Sequence, residues 1–295
     1  MDQRTPNVSP SRVRFVGMTT EHLDVPVADG TIVAVTRQGG PGRTVVLLHA
    51  GVADRRSWDA VGESLSASGL DVVAYDRRGY GDTPAADDPA SFTHVEDLVA
   101  VLDRLEVEQA LLVGNSMGGA LALDTALLHP ARVTGVVLIG AGVSGMTDDD
   151  TPFDWQLDPA SAPLLERSGA ADATVEDRIA ALAHLWLDGP AAPEGRVDGT
   201  ARDLFTAMNR RILDVGAPDS AGDAGVDTWT RLAEISVPVV STWGDLDIPA
   251  DLPFYEETAR RLGQGPGRIL PGVAHLPGLE QPELVADLVR EVLRG

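Results

Sequence analysis

The sequence predicts an α/β protein: a mostly parallel, doubly wound sheet with an inserted helical cap. Short apolar runs alternate with amphipathic helical patterns over residues 44–139 and again over residues 237–293. Such alternation is typical of parallel strands joined by crossover helices. Residues 143–228, between the two stretches, contain helical patterns but no strand-like run. About 85 residues is too long for a connecting loop, so we interpret them as a cap that walls a pocket.

The length of 295 residues is long for one domain and short for two full ones. We predict one α/β core, formed by residues 21–142 and 229–295, that is interrupted by the cap over residues 143–228. Residues 1–20 are interpreted as a loose N-terminal tail. The start of the chain is polar and lacks the apolar segment of a signal peptide. The absence of cysteine leaves the cytoplasm as the expected location. No apolar stretch approaches the roughly 18 residues of a membrane helix.

Composition excludes several kinds of chemistry. The chain has no cysteine, and all 23 of its Lys and Arg residues are arginine. Disulfides, thiolate metal sites, cysteine nucleophiles and lysine Schiff bases are therefore excluded. The formal charge of −22 argues against nucleic acid and anionic membrane as partners, because neither would meet a basic face. We predict no metal and no cofactor, and we leave the oligomeric state open.

The N-terminal half begins with a hairpin and continues as alternating strands and helices. Two β-rich runs flank the turn Asp29-Gly30, which predicts an antiparallel hairpin. The continuous apolar runs that follow are typical of buried parallel strands, at residues 44–48, 71–75, 110–113 and 133–139. Helical patterns separate them, at residues 58–67 with Ser57 as the expected N-cap, at residues 94–105 after Thr93, and at residues 121–128.

The remaining elements are a helical insertion and a second alternating stretch. In the predicted cap, apolar residues recur at helical spacing over residues 174–187 and 201–213. Alternation then resumes, with a strand at residues 237–243, a helix at 252–262, a short strand at 268–270 and a C-terminal helix at 282–293. The carboxyl ends of parallel strands form one edge of the sheet, where active sites of this fold class lie.

A Gly-x-Ser-x-Gly pattern at Gly114, Ser116 and Gly118 lies between a predicted strand and a predicted helix. In this context the pattern is a nucleophile elbow, a turn so tight that the serine is pushed out of both elements. Gly114 and Gly118 are needed because a Cβ at either position would collide with the neighbouring backbone. Ser116 then lies at a helix N-terminus, where free N–H groups favour a developing negative charge.

A serine nucleophile needs an imidazole to take its proton and a carboxylate to orient that imidazole. In the chain order serine, acid, histidine, the histidine follows the last strands. Of the six histidines, only His275 lies there, on a loop. The strand ending at Trp243 leads into Asp245 and Asp247, and either aspartate can serve as the acid.

The elbow also predicts donors for an oxyanion. One is the N–H of Met117, and the second comes from the loop after the strand that ends at His49, where Gly51 is suitable. We assign His49 a structural role in this loop in preference to a catalytic one. The candidates for lining the substrate pocket are His49, Met146, Trp155, Trp186 and Met208.

Together these motifs resemble the α/β-hydrolase superfamily over nearly the whole chain, residues 22–293. Residues 47–51 resemble its oxyanion segment, with Ala50 in place of the usual Gly. The other matching segments are its Asp-x-Arg-Gly-x-Gly-x-Ser loop at residues 75–83, with Thr83 for Ser, its elbow at 114–119, its acid loop at 243–249 and its histidine loop at 272–282. In the family the last Asp of the acid loop is the triad member, so the resemblance implies Asp247 rather than Asp245.

The resemblance implies a cofactor-free serine hydrolase whose partner is a small-molecule carboxylic ester or lactone. Ser116 would attack the carbonyl, His275 would carry the proton and Asp247 would orient His275. The N–H groups of Gly51 and Met117 would hold the oxyanion. A serine at the elbow excludes the mechanisms of epoxide hydrolases and haloalkane dehalogenases, which use Asp there.

Three alternatives stay open on the same residues. The Gly-Asn-Ser-Met-Gly-Gly elbow also resembles the meta-cleavage carbon–carbon bond hydrolases, although this chain lacks their Gly-rich oxyanion loop after His49. A cofactor-free haloperoxidase or perhydrolase uses the same triad. From another class, a catalytically idle member would bind a small ligand under the cap.

Overall fold

The computed structural model describes residues 12–15, 18–146, 152, 155–215 and 224–294. Its centre is a sheet of nine strands: β1 (Arg12–Phe15), β2 (Met18–Pro26), β3 (Ile32–Gly39), β4 (Thr44–Leu48), β5 (Asp71–Tyr75), β6 (Ala110–Asn115), β7 (Val133–Ile139), β8 (Val239–Gly244) and β9 (Arg268–Leu270). Their order across the sheet is β1-β2-β3-β5-β4-β6-β7-β8-β9.

The sheet is antiparallel at its N-terminal edge and parallel elsewhere. Strands β1, β2, β3 and β5 pair antiparallel in that order, and every pair from β5 to β9 is parallel. The predicted hairpin is confirmed, with Pro26 opposite Ile32 across its turn. The continuous apolar runs form the parallel strands because both faces of these strands are covered.

The α-helices are α1 (Asp59–Ala67), α2 (His94–Arg104), α3 (Met117–Leu128), α4 (Ala162–Gly169), α5 (Val175–Ala183), α6 (Gly199–Val215), α7 (Thr228–Arg231), α8 (Leu252–Leu262), α9 (Pro277–Glu280) and α10 (Pro282–Arg294). Apolar residues of α1 and α10 pack on one face of the sheet, and those of α2, α3 and α8 pack on the other. The mostly parallel, doubly wound sheet is therefore confirmed. Within the described ranges, no helix combines the length and the apolar character needed to cross a bilayer.

Predictions for the start of the chain and for the N-terminus of α1 differ from the structure. Residues 12–15 and 18–20, expected in the loose tail, belong to β1 and β2. Strand β1 has only four residues and lies at the sheet edge, where short strands are common. Ser57 is not the N-cap of α1, because a 3-10 turn precedes that helix and Asp54 caps the turn. Residues 1–11 of the expected tail lie outside the described residues.

Helices α4, α5 and α6 lie between β7 and β8, where the described residues form no strand. Helix α4 was not predicted, and the predicted helix at 174–187 changes after Ala183 into a π-helical turn, His184–Asp188. Two side chains of α6 join the helices to loops at the carboxyl ends of β4 and β5. Asn209 donates to the Val52 carbonyl at 2.8 Å, and Arg211 donates to the Gly81 carbonyl at 2.6 Å.

Candidate active site

Ser116 joins β6 to α3 in a backbone conformation that residues other than glycine rarely adopt. Its φ is 54° and its ψ is −118°. Such a conformation costs on the order of 1–3 kcal/mol and persists only where the surroundings hold it. Here the Ser116 N–H donates to the Ile139 carbonyl at 3.0 Å, and the Ser116 carbonyl accepts from Gly142 N–H at 3.1 Å. A Cβ on Gly118 would press against the Leu48 carbonyl, which explains the second glycine of the elbow.

His275 and Asp247 form a buried pair. The His275 Nδ1 lies 2.9 Å from Asp247 Oδ2 and 3.1 Å from Oδ1, and the side chains are 3% and 1% exposed. Two further donors hold the carboxylate, the Ile248 N–H at 2.8 Å from Oδ1 and the Tyr255 hydroxyl at 3.3 Å from Oδ2. The proton on Nδ1 faces the carboxylate, so Nε2 is the atom that can accept a proton.

The pKa of His275 is raised above its ordinary value. Burial lowers this pKa, but the charge of Asp247, its hydrogen bond to the ring and the charges of Asp251 and Glu280 together raise it by more. The imidazolium form is therefore stabilised. A general base needs this, because it must hold a proton during the reaction.

Two side chains that the sequence analysis gave no role fix the backbone around His275. The Asn115 Nδ2 donates to the His275 carbonyl at 3.0 Å and to the Ile139 carbonyl at 2.9 Å. The Glu280 carboxylate accepts from the N–H groups of Ala274, at 2.9 Å, and Leu276, at 3.2 Å. Both residues lie inside the recognised motifs, but periodicity and spacing carry no signal for their hydrogen bonds.

A cavity of about 400 Å³ opens at the carboxyl ends of the central strands. Its lining consists of Ser116, Gly140, Ala141, Gly142, Val143, Met146, Trp155, Trp186, Asp251, Phe254, Tyr255 and His275. The structure thus brings Ser116 and His275 to one cavity, with Asp247 bonded to the far side of the imidazole. In the described part of the chain, no group of three or more His, Asp or Glu side chains is arranged to hold a metal ion.

Three of the predicted pocket residues lie in this lining. Trp186 places its ring 4.6 Å from the His275 ring, between centroids, and its carbonyl accepts the His275 N–H at 3.3 Å. Trp155 and Met146 are 45% and 38% exposed, at the wall on the side of the helical insertion. The contact of these side chains with substrate stays a prediction.

Two predicted pocket residues, His49 and Met208, do not line the cavity. Both side chains are fully buried. His49 Nδ1 donates to the Ala50 carbonyl at 2.8 Å, and Nε2 accepts from Arg77 N–H at 3.1 Å, so the ring holds two loops together. Burial, and then the charge of Arg77, lower the pKa of His49 far below its ordinary value. Met208 packs inward from α6, where its sulfur accepts from the Asp54 N–H at 3.3 Å.

The residues of the two predicted oxyanion donors are neighbours in the structure. Met117 is the first residue of α3, and the first N–H groups of a helix have no partner inside it. Gly51 lies so close that a Cβ on it would stand 2.6 Å from the Met117 sulfur. Met117 therefore adjoins Ser116 in the chain, and Gly51 lies against the Met117 side chain. Their action as donors stays a prediction.

Residues that the sequence analysis missed come mainly from α8 and the turn before it. Asp251, Phe254 and Tyr255 line the cavity, and the Trp155 Nε1 donates to Asp251 Oδ1 at 3.0 Å. Gly140, at the end of β7, has a φ of +49°. A Cβ on Gly140 would stand 2.9 Å from Asp247 Oδ2 and 3.1 Å from His275 Nδ1. The sequence does not predict these positions in the cavity, because helix periodicity does not show which strand end a helix packs against.

Comparison with known proteins agrees with this fold. Residues 43–247 match the family described as alpha/beta hydrolase fold. The chain therefore belongs to the α/β-hydrolase family. An esterase from Exiguobacterium antarcticum has the same fold, with a TM-score of 0.72 at 21% identity, over 92% of this chain and 99% of its own.

Two curated relatives differ in how much of the chain they match and in how similar they are. The Bacillus subtilis protein named "Putative 2-succinyl-6-hydroxy-2,4-cyclohexadiene-1-carboxylate synthase" is 27% identical over 280 residues, which is 92% of this chain and 98% of the relative. The 2-hydroxy-6-oxo-2,4-heptadienoate hydrolase of Pseudomonas putida is 39% identical over 185 residues, which is 59% of this chain and 64% of the relative.

Proposed function

We propose that this α/β hydrolase is a cofactor-free serine hydrolase that cleaves a carboxylic ester or lactone through Ser116, His275 and Asp247. The observation that carries the proposal is the position of His275. Its Nδ1 is bonded to a buried carboxylate at 2.9 Å, while the same ring lines the cavity that Ser116 also lines. A polarised imidazole that shares a cavity with a half-buried serine at an elbow is an arrangement that can activate the serine.

In the proposed reaction the Ser116 oxygen attacks the carbonyl carbon, and its proton passes to Nε2 of His275. Asp247 stabilises the imidazolium, and the N–H groups of Met117 and Gly51 donate to the oxyanion. The tetrahedral intermediate collapses when His275 gives its proton to the leaving alcohol oxygen. Water, deprotonated by His275, then attacks the acyl-enzyme and releases the acid and the free serine.

The helical insertion at residues 143–228 is proposed as a cap over this site. Support comes from Trp155 and Trp186, which reach the cavity from the insertion, and from the bond between the Trp186 carbonyl and the His275 N–H. A cap that walls the cavity excludes water from the reacting atoms and limits the size of the substrate.

Carbon–carbon bond hydrolysis on the same three residues is a second candidate, favoured by the names of relatives. Besides the heptadienoate hydrolase, a 2-hydroxymuconate semialdehyde hydrolase of Pseudomonas is 38% identical over 131 residues. The substrates in these names carry a carboxylate. Among the described residues that line the cavity there is no arginine, and apart from His275 the ionisable groups are Asp251 and Tyr255. A carboxylate beside Asp251 would be repelled, and therefore we favour the ester or lactone.

Hydrolysis of a series of nitrophenyl esters by wild type, Ser116→Ala and Ser91→Ala tests the proposal. Ser91 is an exposed serine of a surface turn and serves as the matched control. We expect Ser116→Ala to lose at least about 10³-fold in turnover and Ser91→Ala to keep it. A fluorophosphonate should label wild type and Ser91→Ala but not Ser116→Ala.

The outcomes separate the candidates. Labelling of Ser116 without turnover of any ester would favour the carbon–carbon bond substrate, which a 2-hydroxy-6-oxodienoate assay then tests. Turnover that survives in Ser116→Ala would contradict the proposed mechanism. Absence of both labelling and turnover in the wild type would contradict a serine hydrolase altogether.

A further inference from the structure

Asp251 is a carboxylate of the cavity lining that the proposed reaction does not use. It ends the short turn Pro249–Asp251 before α8, and one oxygen, Oδ1, accepts from the Trp155 Nε1 at 3.0 Å. Within the described residues, no other hydrogen bond or ion pair reaches its side chain. Burial raises the pKa of Asp251, the bond from Trp155 lowers it and the charge of Asp247 raises it, with a net upward shift. The carboxylate is therefore partly desolvated, and among the described lining residues the only opposing charge that acts on it is the imidazolium form of His275.

The known local roles of such a residue do not account for Asp251. It occupies the N-cap position of α8, but its side chain makes no capping hydrogen bond there. Anchoring Trp155 engages only one of its two oxygens. Asp251 is half-buried and lines the cavity, so its second oxygen is available to a ligand.

Aromatic side chains share the cavity with Asp251. Trp155, Trp186, Phe254 and Tyr255 all belong to the lining. The Tyr255 hydroxyl is engaged by Asp247 and the Trp155 N–H by Asp251. The rings therefore contribute aromatic surface to the cavity. Aromatic rings next to a carboxylate attract an organic cation, since the negative ring faces and the carboxylate act on the same charge.

We propose that the cavity selects an ester or lactone that carries an alkylammonium group, which Asp251 pairs and the rings of Trp155 and Phe254 contact. This inference rests on the proposed function, because it names the substrate class of the same site. A cavity of about 400 Å³ has room for a small ester of this kind. The formal charge of −22 also concentrates cations near the protein, so the test must separate that general field from Asp251 itself.

Two pairs of matched esters provide the test. In the first pair the alcohol part is 2-trimethylammonioethyl or 3,3-dimethylbutyl, in which carbon replaces the charged nitrogen. In the second pair the acyl part of a nitrophenyl ester is 4-trimethylammoniobutanoyl or 5,5-dimethylhexanoyl. For wild type we expect kcat/KM to favour the cation by about tenfold or more in at least one pair. Comparing this ratio between wild type and a variant cancels the intrinsic reactivity of the two esters and any change that affects both equally.

Three variants isolate the source of the preference. Asp251→Asn keeps an oxygen that can accept from Trp155 but removes the charge, and the preference should fall about tenfold, towards one. Trp155→Leu removes a ring and should lower the preference as well. Asp24→Asn is the control, because Asp24 is exposed on β2 and its loss changes the net charge by the same amount. The preference should be unchanged in Asp24→Asn.

A ratio near one in both pairs for wild type would overturn the inference while leaving the hydrolase intact. A cation preference that survives in Asp251→Asn would also overturn it, because the general field would then be the cause. If no ester is hydrolysed, the proposed function fails. Binding of a cation by Asp251 is then tested separately, by titration with tetramethylammonium followed by tryptophan fluorescence. Saturable quenching that weakens about tenfold in Asp251→Asn supports the cation site, and no saturable quenching in wild type overturns it.

Discussion

The side-chain amide of Asn115 donates to the backbone carbonyl of His275 at 3.0 Å, across 160 positions of the chain. The same nitrogen donates to the Ile139 carbonyl at 2.9 Å, at the end of β7. The residue directly before Ser116 therefore joins β6, β7 and the histidine loop. The position of the proposed base depends on the strand that carries the proposed nucleophile.

Asn115→Ala should cost both stability and activity. We expect the free energy of unfolding to fall by about 1–3 kcal/mol, because two buried carbonyls lose their donor. We expect kcat to fall as well, since the His275 loop loses its tie to β6. Urea unfolding and ester turnover measure the two effects. Gln109→Ala is the control, because its amide makes a bond of 2.8 Å to the Ala131 carbonyl at an exposed site. Equal losses in both variants would contradict a special role for Asn115.

The pH dependence of kcat/KM should depend on Asp247. His275 acts as a base only when neutral, so activity falls as the pH drops through its pKa, which Asp247 raises. In Asp247→Asn, burial remains without the opposing charge, and therefore the acidic limb should move to lower pH. The maximal turnover should fall by about 10³–10⁴-fold, because the imidazole loses its orienting carboxylate.

The alternative acid Asp245 provides the control for that experiment. Its side chain accepts from the Gly272 N–H at 2.7 Å at an exposed site and does not contact His275. Asp245→Asn should therefore keep both the position of the acidic limb and most of the turnover. If Asp245→Asn loses activity as Asp247→Asn is expected to, the assignment of the acid is wrong.

Gly140→Ala should impair turnover. The new Cβ would stand 2.9 Å from Asp247 Oδ2 and 3.1 Å from His275 Nδ1, at a backbone φ of +49°. It would push on the hydrogen bond between the two side chains, so we expect a loss of about 10²-fold in kcat. Gly169→Ala, at the end of α4 with nothing within 4 Å of the new Cβ, should change neither activity nor stability by a large factor. Activity kept in Gly140→Ala would show that the pair tolerates displacement.

Glu257 on α8 should stabilise the fold in a pH-dependent way. Hydrogen bonds from Arg260 lower its pKa to about 2, against an ordinary value of 4.5, so the carboxylate is favoured in the folded state. The stabilisation is present above pH 4.5 and is lost as the pH falls towards 2. Because the Arg260 side chain is 69% exposed, solvent screens the pair, and Glu257→Gln should cost less than about 1 kcal/mol at pH 7.

Urea unfolding at pH 7 and at pH 3 checks this expectation. The difference between wild type and Glu257→Gln should shrink at the lower pH. Glu256→Gln, the exposed neighbour on the same helix, should show no such change. A difference that grows as the pH falls would have the wrong sign for a lowered pKa.

Much of the fold follows from local patterns in the sequence. The strands β4 to β7 and the helices between them occur where apolar runs and helical periodicity predict them, because a strand buried on both faces gives a continuous apolar run and a helix buried on one face gives apolar residues at helical spacing. The predictions failed where these patterns are weak. Helix α4 has a short apolar stripe, and β1 is a four-residue edge strand. The burial of His49 and Met208 depends on the packing of α6 and the loops, which periodicity does not describe.

The sequence by itself determined the order of the elements, the elbow at Ser116 and the loops that hold Asp247 and His275, because each is encoded by residues next to one another. Only the tertiary structure decided what meets at the cavity. Ser116, Trp186, Asp251 and His275 come from four separate segments, and their approach depends on how the sheet twists and how the inserted helices pack against it. The carboxylate of Asp251 becomes informative only there, because an aspartate before a helix is ordinary until its surroundings are aromatic and, among the described lining residues, offer no arginine to pair with it.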